Sequence, residues 1–253
     1  MFPRTRILTT SALVVLTGGI LLLGDCSKMD KGTPDVGYRY YPLTVGDTLY
    51  YQEDSILYND FFSTVDTSAH QVMDVTVSGF TDNSGRISYL VDRFIRESAS
   101  DPWQEDFTYS VTPQPNRIED LENNLRFIKL VFPVRLNSSW PGNSYIDPDP
   151  SDNLSYLEGW NYQYTAVNSP DTVAGIRYDS TLTVVQQPDL LVQTPSYASD
   201  LYSVEKYASG VGLIYKHFIY WQQQCIQYDQ SGNCIQLGAK GGYEVILQLT
   251  GHN

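Results

Sequence analysis

Gln71-Val72-Met73-Asp74-Val75-Thr76-Val77-Ser78-Gly79-Phe80 alternates, Thr81-Asp82-Asn83-Ser84-Gly85 is a run of turn formers, and Arg86 to Arg96 resumes an extended pattern carrying Ile87, Tyr89, Val91, Phe94 and Ile95. Alternation over such a length, with β-branched and aromatic residues, fits a strand packed on one face, and Asp-Asn-Ser-Gly supplies the reversal. The three pieces predict a β-hairpin.

The same signals recur on either side. Asp106 to Thr112 puts Phe107, Tyr109 and Val111 on one side of a strand. Leu125 to Val134 is a near-continuous apolar run, suited to a strand buried on both faces, with Pro133 marking its end. Asn161 to Val167, Arg177 to Gln186 and Leu213 to Tyr228 continue the pattern, and Tyr243, Val245, Leu247 and Leu249 give the last strand an apolar face. Leu201 to Ala208 is the only stretch after the N-terminal run where an apolar helical period extends beyond two turns. With 20 Tyr and many Thr and Val, the chain predicts an all-β fold. The expected form is a strongly curved antiparallel sheet or open barrel of roughly ten strands, built as a single domain over residues 38–253.

The first 25 residues have a different character. Arg4 and Arg6 precede an uncharged, largely apolar run from Ile7 to Leu23, the plan of a secretory signal helix that is cleaved. That run has 17 residues and includes Thr9, Thr10, Ser11, Gly18 and Gly19, against about 20 apolar residues needed to cross a bilayer. Leu21-Leu22-Leu23-Gly24-Asp25-Cys26 resembles the lipobox of bacterial lipoproteins, although Asp25 is acidic where Gly, Ala or Ser is usual. The resemblance implies cleavage before Cys26, diacylglycerol on its sulfur and a further acyl chain such as palmitate on its new amine. Several acyl chains, at about 0.8 kcal/mol per buried CH₂, hold a protein firmly on a membrane. Residues 26–37 then read as the lipidated cysteine and a flexible polar tether.

The chain has three cysteines, an odd number for an oxidising compartment. Lipid on Cys26 leaves Cys225 and Cys234 as one pair. They flank Ile226 to Asn233, whose centre reads as a turn, so two strands closing on it place the sulfurs opposite each other. No second pair of ligands lies nearby for zinc. Formal net charge is −13, and −14 once the signal with its two arginines and one aspartate is removed. So acidic a chain argues against nucleic acid as a partner and against adsorption to anionic lipid.

Tyr41-Pro42-Leu43-Thr44-Val45-Gly46-Asp47, Asp54-Ser55-Ile56, Asn124 to Val134 with its Phe127-Ile128-Lys129-Leu130-Val131-Phe132-Pro133-Val134 core, Trp140-Pro141-Gly142-Asn143 and Glu205-Lys206-Tyr207-Ala208-Ser209-Gly210-Val211-Gly212-Leu213-Ile214-Tyr215-Lys216 resemble a family of uncharacterised lipoproteins from Bacteroidota. The resemblance spans most of the mature chain. It implies lineage and a place in the cell envelope, most naturally the outer membrane, and implies no activity. Within these elements Gly46 and Gly210 read as turns taken at positive φ.

Signatures of catalysis are sparse. The three histidines, His70, His217 and His252, stand in no nucleophile elbow, zinc-helix or phosphate-loop motif. Paired carboxylates working as acid and base on polysaccharide are the enzymatic alternative. Asp147 to Glu158 places oxygen ligands at calcium-loop positions, but Asp152 stands where glycine is needed and Pro148 and Pro150 stiffen the loop, so an acidic solvent loop is the better reading. Neither a metal nor a cofactor is expected. Short Asp-Ser/Thr-apolar sequences, of which Asp171-Thr172-Val173 beside Pro170 is the most loop-like, are candidate O-glycan acceptors. Trp160 and Tyr162, with Tyr220 and Trp221, are candidate ligand-facing aromatics that would stack on sugars if exposed on a sheet face. The sequence therefore leads to a lipid-anchored envelope protein that binds or supports something, with membrane through Cys26 and a glycan or envelope protein as partners.

Overall fold

The computed structural model describes residues 35–147 and 154–253. The signal segment, Cys26 and most of the tether lie outside the described residues, as does half of the calcium-like loop, residues 148–153. The hairpin Gln71 to Arg96 is present as β2 (Thr64–Thr81) and β3 (Ile87–Arg96), paired antiparallel with Asp74 opposite Arg93. Its turn is fixed by the Asp82 carboxylate, which accepts from the backbone N–H groups of Ser84 and Arg86.

Around this hairpin the strands follow in chain order. β1 (Thr48–Asn59) precedes it, and β4 (Gln104–Gln114), β5 (Arg117–Glu122) and β6 (Leu125–Val131) follow. The second half comprises β7 (Ser139–Trp140), β8 (Tyr162–Val173), β9 (Ile176–Gln187), β10 (Val192–Gln193), β11 (Tyr197–Ala208), β12 (Gly212–Tyr228), β13 (Cys234–Leu237) and β14 (Gly241–His252). All belong to one antiparallel sheet, in the order β6-β5-β4-β3-β2-β1-β14-β12-β11-β9-β8-β7, with β10 on β11 and β13 on β12. The last strand thus lies beside the first, and the two halves of the chain wind outward from that central pair.

Among the described residues there are fourteen strands where the sequence predicts about ten. β1 contains Gln52-Glu53-Asp54-Ser55, and β5 is Arg-Ile-Glu-Asp-Leu-Glu, so polar residues interrupt the alternation in both. The first six residues of β2, Thr64 to Ala69, are exposed on both faces and pair with β1 alone, so no apolar period marks them. Leu201 to Ala208 is strand, in β11, not helix: its register against β9 and β12 overrides a local period. The run from Leu125 ends as strand at Val131, and none of its seven residues is exposed.

The sheet closes nearly into a barrel, because its two edge regions meet through loops and side chains. The Ile128 N–H donates to the Gly142 carbonyl, the Trp140 indole donates to the Ile128 carbonyl, and the Tyr164 hydroxyl bonds both the N–H and the carbonyl of Val131. Gly142 is required by space: a Cβ there would lie 2.4 Å from the Tyr162 ring. Beside the seam, Glu119 is fully buried and accepts from Arg117, Arg126, Arg86 and the Tyr145 hydroxyl, pinning the loop that carries Tyr145 to the sheet.

Gly46 and Gly210 turn the chain at φ of +100° and +77°. Cys225 and Cys234 are disulfide-bonded across β12 and β13, with Cα atoms 5.8 Å apart. Closing so short a loop stabilises by roughly 2–3 kcal/mol in the chain-entropy picture. The bond clamps an exposed hairpin and touches neither core cluster.

Candidate functional site

Strand alternation sends one residue in two into the barrel, and several that point inward are charged. They come from six strands: Asp74 from β2, Arg93 from β3, Asp120 and Glu122 from β5, Lys129 from β6, Glu205 from β11 and Lys216 from β12. In water-poor surroundings such groups must be paired. Arg93 grips Asp74 through two bonds of 2.7 Å, and Tyr109 adds a third at 3.1 Å. Lys129 donates to Glu205, whose other oxygen accepts from Tyr207. Burial would push the Glu205 carboxyl up, but Lys129 and Lys216 outweigh it and hold the group below the usual range. Glu122 behaves alike: burial raises it, while Lys216, then Arg93 and Lys129, bring it below normal.

Asp120 is the exception. Burial raises it to about 7; Lys129 opposes, while Glu205 and Glu122 add to the rise. Tyr41 donates to both its oxygens at 3.2 Å. With Asp120 protonated these inward strand residues are three carboxylates and three cations and balance one another; Asp47, from the loop before β1, adds a carboxylate to the smaller chamber.

These groups separate two chambers that share Glu122, Lys129, Glu205 and Lys216. The chamber beside Asp120 is about 80 Å³, room for a few water molecules. The other is about 400 Å³ and is walled by Leu125, Phe127, Trp160, Phe218, Tyr243 and Val245. Trp160 and Tyr243 each lie nearly parallel to Phe218, at ring separations of 6.2 and 5.1 Å. An apolar wall with a few polar groups at one end is the ordinary make-up of a small-molecule site.

The sequence-predicted aromatics divide. Trp160 and Tyr162 are buried, and both line the larger chamber. Tyr220 stacks on Tyr156 at 4.0 Å, and Trp221, buried, carries Lys240 over its ring at 3.5 Å. The four therefore do not form an exposed sugar-stacking face: neighbouring residues of a strand point to opposite sides, which separates Tyr220 from Trp221. His217 sits half-buried on the sheet, 3.0 Å from Glu244. Thr172 is exposed near the β8–β9 turn, but Asp171 is engaged by Lys206 at 2.6 Å. Among the described residues no group of three or more His, Cys, Asp or Glu is arranged to hold a metal.

Sequence reasoning missed the interior ion network and the Phe218 and Tyr243 walls. The available signal was a charge at an inward position of an otherwise apolar strand, as in Phe127-Ile128-Lys129-Leu130-Val131 and Tyr215-Lys216-His217-Phe218. The segments resembling the Bacteroidota lipoproteins meet here: Tyr41, Lys129, Glu205, Tyr207 and Lys216 all come from them, and Trp140 to Asn143 closes the wall.

No protein-family model and no curated protein matches the chain. Among solved structures it is similar to a Bacteroides fragilis protein assigned as exported and as having a YmcC-like fold, at 7% identity and a TM-score of 0.37, covering 83% of this chain and 98% of that one. It is also similar to a Parabacteroides distasonis protein assigned as a lipoprotein, at 11% identity and a TM-score of 0.25, with coverage of 83% and 98%.

Proposed function

We propose that the chain is a lipid-anchored envelope protein whose barrel is a binding module for a small molecule. The observation that carries this reading is the 400 Å³ chamber, aromatic on its walls and charged at its inner end. The anchor is Cys26, on the strength of the lipobox-like segment, and the outer membrane is the membrane proposed. A glycan reaches this site only as a small fragment, since the sequence-predicted aromatics offer no stacking platform outside. Contact with another envelope protein is also part of the reading; Phe61 and Phe62, at the β1–β2 tip, are 85% and 70% exposed.

Titrating the full chain on phosphatidylcholine vesicles with 2-phenylethanol tests the binding reading by calorimetry, with protein-free vesicles as blank. Saturable heat is expected, and Val245→Trp, which fills the chamber, is expected to remove it. Equal heat from both proteins, or none from the parent, overturns the reading. Localisation is tested separately by detergent partition. The parent is expected in the detergent phase and Cys26→Ser in the aqueous phase, and identical partition of the two would remove the anchor.

The enzymatic alternative draws on one observation: neighbouring carboxyls held at opposite ends of their range, Asp120 high and Glu205 low, as an acid and its partner would be. Against it, the chamber at Asp120 admits water but no sugar ring. Binding is the better reading.

A further inference from the structure

Among the described residues, two charged groups that line the larger chamber have no partner of their own. Asp74 is tied to Arg93, and Glu205 to Lys129. Among the described residues neither Glu122 nor Lys216 has an ion-pair partner within 4.0 Å, although both stand where the two chambers meet and Lys216 is the cation that most depresses Glu122.

Charge selects the ligand class. An anion beside Lys216 would also face Glu122, and a cation beside Glu122 would also face Lys216. Since the charges lining the larger chamber balance, Glu122 and Glu205 against Lys129 and Lys216, a singly charged guest would leave a net charge in poorly solvated surroundings. A guest carrying both charges meets both groups. Its body must be apolar, and the parallel faces of Trp160, Phe218 and Tyr243 suit an aromatic ring.

We propose that the chamber takes a zwitterion of the α-amino-acid type with an aromatic side chain. Its ammonium lies against Glu122, its carboxylate against Lys216, and its ring among Trp160, Phe218 and Tyr243. This deepens the reading of the chamber as the binding site and rests on it.

The experiment is a calorimetric series on the full chain carried on phosphatidylcholine vesicles. The probes share one ring: L-phenylalanine (both charges), phenethylamine (ammonium only), 3-phenylpropionate (carboxylate only) and 2-phenylethanol (neither). L-phenylalanine is expected to bind at least about tenfold tighter than each singly charged probe, the scale of one charged hydrogen bond. Glu122→Gln is expected to erase its advantage over 3-phenylpropionate, and Lys216→Met its advantage over phenethylamine. If 2-phenylethanol binds and L-phenylalanine binds no tighter than the singly charged probes, the zwitterion assignment is overturned and the binding reading stands. If no probe binds, both fall. The series on the parent decides the matter even where a variant folds poorly.

Discussion

Glu205→Ala is expected to lower the unfolding free energy by about 3–5 kcal/mol, because it strands the Lys129 ammonium inside the barrel. Glu205 is 1% exposed and Lys129 only 12%, so water cannot easily take over the lost partner. Tyr207, which now donates to Glu205, loses its acceptor as well. At about 2–4 °C per kcal/mol for a domain of this size, the midpoint should fall by roughly 10 °C in a thermal melt. Lys129→Met should cost less, since Lys216 and Tyr207 still stabilise the carboxylate. Glu205→Leu combined with Lys129→Met should recover most of the loss, because a buried pair contributes little over an apolar replacement. A loss under about 1 kcal/mol for Glu205→Ala would mean that the interior is open to solvent.

Asp120→Asn is expected to change the pH dependence of stability. The carboxyl sits at about 7 in the folded chain against 3.8 for the free group. Between these values the folded state keeps a proton that the unfolded state has released, so stability falls as pH rises from about 4 through 7. At about 1.36 kcal/mol per unit, the full cost of ionising Asp120 in place is of order 4 kcal/mol. Asparagine keeps an acceptor for Tyr41 and carries no charge, so the variant should gain on the parent as pH rises, most above pH 7. Glu205, Glu122 and Glu119 have the opposite sign: their carboxyls are depressed, so their contribution is present at neutral pH and lost in acid. Held below the usual range, they are ionised in both proteins between pH 5 and pH 8 and add no slope there. Urea melts of parent and variant at pH 5 and pH 8 check this, and a difference that is the same at both would show that Asp120 is not raised.

The local β character was open to reading in the sequence because it depends on near neighbours. The alternation of Gln71 to Phe80, the turn chemistry of Asp82 to Gly85 and the spacing of Cys225 and Cys234 each act within one hairpin, where the rise of a strand and the reach of a side chain fix the outcome. The lipobox-like segment around Cys26 is likewise a local pattern. Strand number was less legible, since β1, β5 and the first half of β2 carry polar residues and become strands through their pairing.

The site was decided by tertiary structure. Asp74, Arg93, Asp120, Glu122, Lys129, Glu205 and Lys216 span more than half of the chain, and only closure of the sheet brings them to one interior. Whether a strand residue faces in or out depends on register and on bulges such as that between Ile118 and Glu119, which nothing local specifies. That is why Trp160 and Tyr162, which suit an exposed face as sequence, line a buried chamber. The sequence by itself determined that the chain is all-β, that the two cysteines can meet and that the chain is acidic. The closed sheet determined which charges share a low-dielectric space, and so which pair, which stay protonated and which remain free to hold a ligand.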